Sequence, residues 1–292
     1  MKMKKIVAFT LLLCMVLTLA ACGKAEITLQ EIYDANQTEV LLKNHKSVYI
    51  QDEMDGEVWN EVYLTKEYAY NYIPGEDSDW MEFTTDDARY SLAGDDCVYY
   101  VYITPDGIGD FANERAERSA SAALCAGAEG EIIESASKND GLITVKSVLS
   151  QKAIEDMAEF GVTSAKYEYV LDAKTREIIS LTSDYTYDDG LAFNVISEVT
   201  YDADVPEMLQ TILAYENQTE NLRNVTVVSN PGTGKEESKS IQVPKGLIFG
   251  LEFDDAVAES VEFYTDAACT ESYDPYADTD SDLTIYVKWT NT

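Results

Sequence analysis

His45 is the chain's only histidine. Any Ser-His-Asp or histidine-based acid–base mechanism would have to run through it. It stands between Lys43 and Lys46 at the end of an amphipathic stretch, where a helix-terminal or surface histidine is the expected role. No G-x-S-x-G accompanies it. Asp278, Asp280 and Asp282 alternate as D-x-D-x-D, the pattern with which calcium loops aim oxygens at one ion. The central glycine and closing glutamate of such a loop are missing. The run reads as an acidic turn before a strand, with a calcium site as the alternative. Gly232-Thr233-Gly234-Lys235 falls short of the full phosphate loop and reads as a hairpin turn. Cys97, Cys125 and Cys269 show neither CxxC spacing nor a nearby histidine, which argues against structural zinc. Cys97 and Cys125 are either a disulfide pair or plain buried thiols. No cofactor is expected. The side chains best suited to binding are tyrosines. Tyr68, Tyr70 and Tyr72 share one strand face by period two, as do Tyr100 and Tyr102. Such rows either pack a sheet or offer rings to a ligand.

The strongest chemical signal is Cys22. Lys2, Lys4 and Lys5 form a positive start, an apolar run covers 6–19, and small residues precede the cysteine. This is the layout of a secretory signal peptide. The run is shorter than the ~20 apolar residues a transmembrane helix needs. Leu19-Ala20-Ala21-Cys22 resembles a bacterial lipobox. The resemblance implies cleavage before Cys22, diacylation with palmitate-type chains, and a lipid anchor on the extracytoplasmic face of the cell membrane. More than one acyl chain suffices for stable attachment. Residues 1–21 are then signal peptide and 22–27 a lipidated tether.

The chain carries 21 Lys and Arg against 54 Asp and Glu, for a net charge of −33. Loss of Lys2, Lys4 and Lys5 with the signal takes this to −36. A surface this acidic repels phosphate backbones and excludes nucleic acid as a partner. It also repels anionic headgroups at close range. Hydrophobic residues make up 46% and there are 20 tyrosines, ample for packed, strand-rich cores. Removing the first 21 of 292 residues leaves 271, a length that suits two domains.

The elements that must position these groups are mostly strands. Thr28 and Glu31 form a capping box for a helix expected to run to 43–44. Alternating strands follow over 47–51, 58–64, 66–73, 80–84, 89–92 and 97–104, with Asp55-Gly56 as a hairpin turn. Residues 110–125 read as a helix. Strands at 131–137 and 142–149 flank Asn139-Asp140-Gly141, a short helix spans 153–160, and strands at 166–172, 177–185 and 191–201 complete the series. The fold class is α+β: an antiparallel meander sheet with a few helices over 28–205. A helix and linker follow at 206–221, then a small β module over 222–292 with strands at 225–228, 241–243, 259–264 and 283–289.

Two family resemblances attach to these blocks. Phe263-Tyr264-Thr265-Asp266, Tyr273-Asp274 and the closing Leu283-Thr284-Ile285-Tyr286-Val287-Lys288-Trp289 strand, with Pro244-Lys245-Gly246 before them, resemble the Listeria–Bacteroides repeat of the internalin-B type. Val261-Glu262 stand where that family usually has Gly-Trp. The resemblance implies a β-grasp-like module with a surface spacer or adhesive role and no catalysis. The opening helix with Tyr33-Asp34-Ala35-Asn36, the strand series and the hairpin at 171–178 resemble the LolA-like lipoprotein-carrier group. That implies a curved sheet around an apolar cavity. The expected function is non-enzymatic: a lipid-anchored binding protein for an apolar or amphiphilic ligand. The alternative is a surface adhesion or scaffold protein that binds a protein or wall polymer.

Overall fold

The computed structural model describes residues 23–24, 26–75, 79–93, 96–104, 106–111, 130–157, 160–253 and 260–290. The signal peptide, Cys22, Cys125 and nearly all of the expected 110–125 helix lie outside them. In chain order the elements are β1 (Gly23–Lys24), α1 (Leu29–Ala35), α2 (Thr38–Asn44), β2 (Val48–Met54), β3 (Glu57–Leu64), β4 (Tyr68–Ile73), β5 (Trp80–Thr85), β6 (Arg89–Ala93), β7 (Asp96–Thr104) and β8 (Gly107–Ile108). Then come β9 (Glu131–Asn139), β10 (Leu142–Leu149), α3 (Gln151–Asp156), β11 (Val162–Asp172), β12 (Ile178–Tyr187) and β13 (Ala192–Tyr201). The last block holds α4 (Leu209–Glu216), β14 (Leu222–Ser229), β15 (Glu237–Pro244), β16 (Ile248–Glu252), β17 (Ser260–Tyr264) and β18 (Leu283–Thr290). The described chain is thus mostly strand, with a few short helices.

The chain divides into two compact units, Met1–Trp59 with Ala120–Asp202 and Asn60–Ser119 with Ala203–Thr292. The cut is not the expected one at 206–221: strands from the middle of the chain share a unit with the C-terminal block.

The first unit is an antiparallel sheet in the order β1-β9-β10-β11-β12-β13-β2. Asp140 and Gly141, both at positive φ, make the β9–β10 turn, as a type I′ hairpin requires. Residues 23–24 are not free tether. Gly23 and Lys24 pair with Lys138 and Ser137 of β9. Ile32 of α1 is fully buried with Ile143, Val145, Tyr169, Leu171, Ile178 and Leu181 on one sheet face.

The single opening helix is in fact two. The capping box forms as expected, with the Glu31 carboxylate accepting from the Thr28 N–H at 2.8 Å and the Thr28 hydroxyl from the Glu31 N–H at 3.2 Å. Asn36 then ends α1. Its amide donates to the Ile32 carbonyl at 2.7 Å and the Arg176 carbonyl at 3.1 Å, and its oxygen accepts from the Ile178 N–H at 2.9 Å. Side-chain bonds to backbone compete with helix continuation. Here they clip the break to the β11–β12 hairpin.

The second unit has two sheets. In the first, β4 to β7 run antiparallel, and β16 joins β7 in parallel, with Phe249 opposite Tyr99. β16 went unforeseen, because Gly250 interrupts its short apolar run. The other sheet has the order β15-β14-β18-β17, with the central β14–β18 pair parallel. Arg223 of β14 is 1% exposed and donates to the carbonyls of Asp278 at 2.7 Å and Leu247 at 2.9 Å.

Candidate functional site

Strand register decides what the tyrosine rows can do. Tyr63, Tyr70, Phe83, Tyr90, Tyr99 and Phe249 stand opposite one another from strand to strand. They form one cross-strand row of rings, each 8% exposed or less. Phe83 lies 5.8 Å from Tyr90, Tyr90 lies 5.0 Å from Tyr99, and Tyr99 lies 6.1 Å from Phe249, centroid to centroid. Such ring contacts each add to area burial. Tyr68, Tyr70 and Tyr72 belong to this face by period two. Tyr70 is therefore packing, and its hydroxyl is interior. Tyr68 and Tyr72, two residues to either side of Tyr70 along β4, are half-buried.

Tyr100 and Tyr102 point to the opposite face, so the five candidate rings are not brought together. On that face Tyr100 stands opposite Arg89 and Gly250. A Cβ on Gly250 would lie 2.4 Å from the Tyr100 ring; the ring lies across the glycine, which is why no larger residue fits there. The Arg89 guanidinium carbon sits 4.6 Å from the ring centroid, within cation–π range. Arg89 also pairs with Glu82 at 2.5 Å and with Glu252. Glu82 and Arg89 are both under 10% exposed. A buried cation between two carboxylates meets the pairing that burial of charge demands. Sequence reading missed this triad, since its members sit 7 and 163 residues apart and only the β7–β16 pairing joins them.

Beside Tyr100, a cleft of roughly 230 Å³ is walled by Val98, Phe249, Leu251, Phe263, Tyr273 and Tyr276. The Tyr273 hydroxyl donates to the Phe249 carbonyl at 2.8 Å, and burial pushes its pKa up to about 12. Tyr276 is 68% exposed. The volume is below the ~300–1,000 Å³ of drug-sized sites. It suits one ring or a short apolar chain.

The first unit carries a larger cleft, roughly 710 Å³, between the start of α1 and β9. Ile27, Ile133 and Ala136 give it an apolar floor, and Glu26, Glu31 and Glu134 an acidic rim. The three apolar residues also pack on the Ile32 core cluster. Glu131 lies on the same sheet face. It accepts the Tyr169 hydroxyl at 2.8 Å and the Ser147 hydroxyl at 2.6 Å. The capping-box bonds from Thr28, backbone first, hold Glu31 below the usual carboxylate range.

His45 is the cap residue after α2, its N–H bonded to the Leu41 carbonyl at 2.8 Å. Its ring stacks on Tyr201 at 4.4 Å. Nε2 lies 3.1 Å from Glu177 and Nδ1 3.3 Å from Asp202. Burial alone would lower the imidazole pKa, but hydrogen bonds to Glu177 and Asp202 raise it above its usual value. Asp278 accepts from the N–H groups of Asp280 at 2.8 Å and Ser281 at 2.9 Å. The Ser281 bonds, chiefly, draw its pKa down to about 2. Asp282 accepts from the Asn224 N–H at 2.7 Å. Asp278 thus serves its own turn and Asp282 ties the loop to β14, and among the described residues no group of three His, Cys, Asp or Glu side chains is set to hold a metal. Cys97 is a buried free thiol whose pKa burial pushes up to about 11. Among the described residues no helix is long and apolar enough to cross a membrane.

No family model and no curated protein matches the sequence. Among solved structures, the chain is similar to the Mycobacterium tuberculosis lipoprotein LppX at 11% identity, over 61% of this chain and 97% of that one, with a TM-score of 0.34. It is similar also to a chain of the Pseudomonas aeruginosa MucA/MucB complex at 10% identity, over 62% of this chain and 58% of that one, with a TM-score of 0.23.

Proposed function

We propose that this chain is an exported lipoprotein, anchored through Cys22, that binds an amphiphilic small molecule and performs no catalysis. The observation that carries the binding reading is the roughly 710 Å³ cleft of the first unit. Its volume falls within the range of small-molecule sites. Its apolar floor and carboxylate rim match a ligand with an apolar body and a hydrogen-bond-donating or cationic head. Affinity there comes from area burial, so no sequence motif is required. The aromatic cleft beside Tyr100 is the smaller second pocket.

The test is native mass spectrometry of the full chain extracted gently from its own membrane. A bound amphiphile is expected, and Ile133→Asp should abolish it while leaving the far-ultraviolet circular dichroism unchanged. A clean apo mass from repeated preparations, with no adduct on exposure to single-chain amphiphiles, would overturn the reading. The same spectra report acylation of Cys22 as a separate mass increment.

A further inference from the structure

On its outer side β9 is paired over two residues only. Gly23 and Lys24 of β1 stand opposite Lys138 and Ser137. Had β1 continued, its next residues would have run along 136–131. Instead Thr28 caps α1, and the chain turns away from the strand. The roughly 710 Å³ cleft is the slot this leaves. Ile133, Glu134, Ser135 and Ala136 of β9 form one wall, and Glu26, Ile27, Thr28 and Glu31 the other. Among the described residues, no backbone group of 131–136 has a partner on that side; β9 bonds there only inward, to β10. At about 3.4 Å per residue, roughly 20 Å of strand edge stands open.

An open edge is a template for another strand. An added strand supplies partners to the unpaired N–H and C=O groups, and its alternate side chains fall on opposite faces. On the core face they meet Ile27, Ile133 and Ala136, which pack on the Ile32 cluster. Charge narrows the occupant further. Glu26, Glu31 and Glu134 line the slot, all three exposed, and no basic side chain lines it. Lys24 and Lys138 stand at its end, where β1 closes it, and Arg176 adds a minor attraction on Glu31. A second copy pairing β9 to β9 would crowd Glu134 against its own kind. A basic strand is favoured instead.

Resting on the reading that this cleft is the ligand site, we propose that its amphiphilic ligand is a short extended peptide with alternating apolar and basic side chains, added as a strand to the free edge of β9. The apolar side chains cover the floor. The basic ones answer the carboxylates of the rim. The peptide backbone takes up the open N–H and C=O groups. β1 blocks the Ser137 end, so the added strand stops there, as a free peptide does.

The experiment separates strand addition from mere charge or greasiness. The full chain, extracted from its own membrane, is held in a phosphatidylcholine nanodisc. The probe is a fluorescein-labelled peptide of alternating valine and lysine, about six residues long to match the open edge. Its twin is N-methylated along the backbone, which keeps charge and side chains and removes the N–H donors. By fluorescence anisotropy the plain peptide should bind roughly tenfold or more tightly than the twin. It should also slow amide hydrogen exchange over 131–136. Glu26→Lys with Glu134→Lys should weaken binding roughly fivefold. Glu207→Lys with Glu237→Lys, the same charge change on exposed acids of the second unit, should leave it. Equal binding of peptide and twin, unchanged exchange over 131–136, or equal loss in the two variants would overturn the proposal. Dodecyltrimethylammonium, followed by the same exchange, tests the underlying reading. If it protects 131–136 and the peptide does not, the peptide inference falls and the small-molecule reading stands. If neither does, both fall.

Discussion

The two units fill a sheet face in opposite ways. In the second unit one row runs Tyr63, Tyr70, Phe83, Tyr90, Tyr99, Phe249, a ring at every strand. In the first, neighbouring rows run Val145, Tyr169, Leu181, Ser197, Asp52 and Ser147, Tyr167, Ser183, Val195, Met54. Each row there holds one ring, set among aliphatic, hydroxyl and, at Asp52, carboxylate side chains. The second unit sets its buried ion triad, Glu82–Arg89–Glu252, on the far face, while ring hydroxyls bond outward from the row, as Tyr90 does to Glu216 at 2.6 Å. The first mixes polar groups into its core face. The ring face is filled, and the second unit's smaller cleft opens on the opposite face, beside Tyr100. A mixed face, covered by one short helix, leaves the larger.

The largest test of this contrast is Arg89→Ala. It leaves the buried Glu82 and the partly exposed Glu252 carboxylates without their shared cation and should cost about 3–5 kcal/mol in chemical denaturation. A cost under ~1 kcal/mol would show that the triad is solvated and that the second unit separates its polar and apolar faces no better than the first. Gly250→Ala comes next. The added methyl must displace the Tyr100 ring, at about 1–3 kcal/mol. The displaced ring should also weaken binding of a fluorescent apolar probe in that cleft, and unchanged stability with unchanged probe binding would mean the ring is not held. Ser197→Ala in the first unit is smaller and of opposite sign. Its hydroxyl is fully buried and has no hydrogen-bond partner among the described residues. Its removal should leave stability unchanged or raise it by up to ~1 kcal/mol, whereas a loss above that would reveal a bound group satisfying it. The smallest effect is at His45. The fold raises its pKa, so its contribution is complete below the unfolded value near 6.5 and is lost as pH rises through the higher folded value. The stability gap between wild type and His45→Gln should therefore narrow with increasing pH above about 6.5. A gap that is constant with pH would assign His45 to stacking on Tyr201 alone.

Local signals in the sequence were reliable where one element decides the outcome. The Thr28–Glu31 capping box, the Asp55-Gly56 and Asp140-Gly141 turns and the period-two strands all form. What depended on distant partners was not legible. Asn36 breaks the first helix because of Arg176 and Ile178, about 140 residues away. β16 exists as a strand because β7 offers it an edge. Period two placed Tyr68, Tyr70 and Tyr72 together correctly, but only register across the sheet shows that Tyr100 and Tyr102 face the other way. The Arg89 triad had no signal in a linear pattern. Gly250, a glycine inside an apolar run, was the one hint that a bulky ring crosses there.

The parallel pairing of β16 with β7 also sets an order of events. Tyr99 finds Phe249 only after 150 further residues have been made. A chain emerging N-terminus first can close the first unit once Asp202 is out. The strands at 68–104 must then wait with the edge of β7 uncovered. Distant pairings of this kind form slowly and leave open edges prone to aggregation meanwhile. Stopping the chain near residue 205 would fix that waiting state permanently. The product should be an insoluble fragment, and its recovery as a soluble monomer would show that β7 needs no partner.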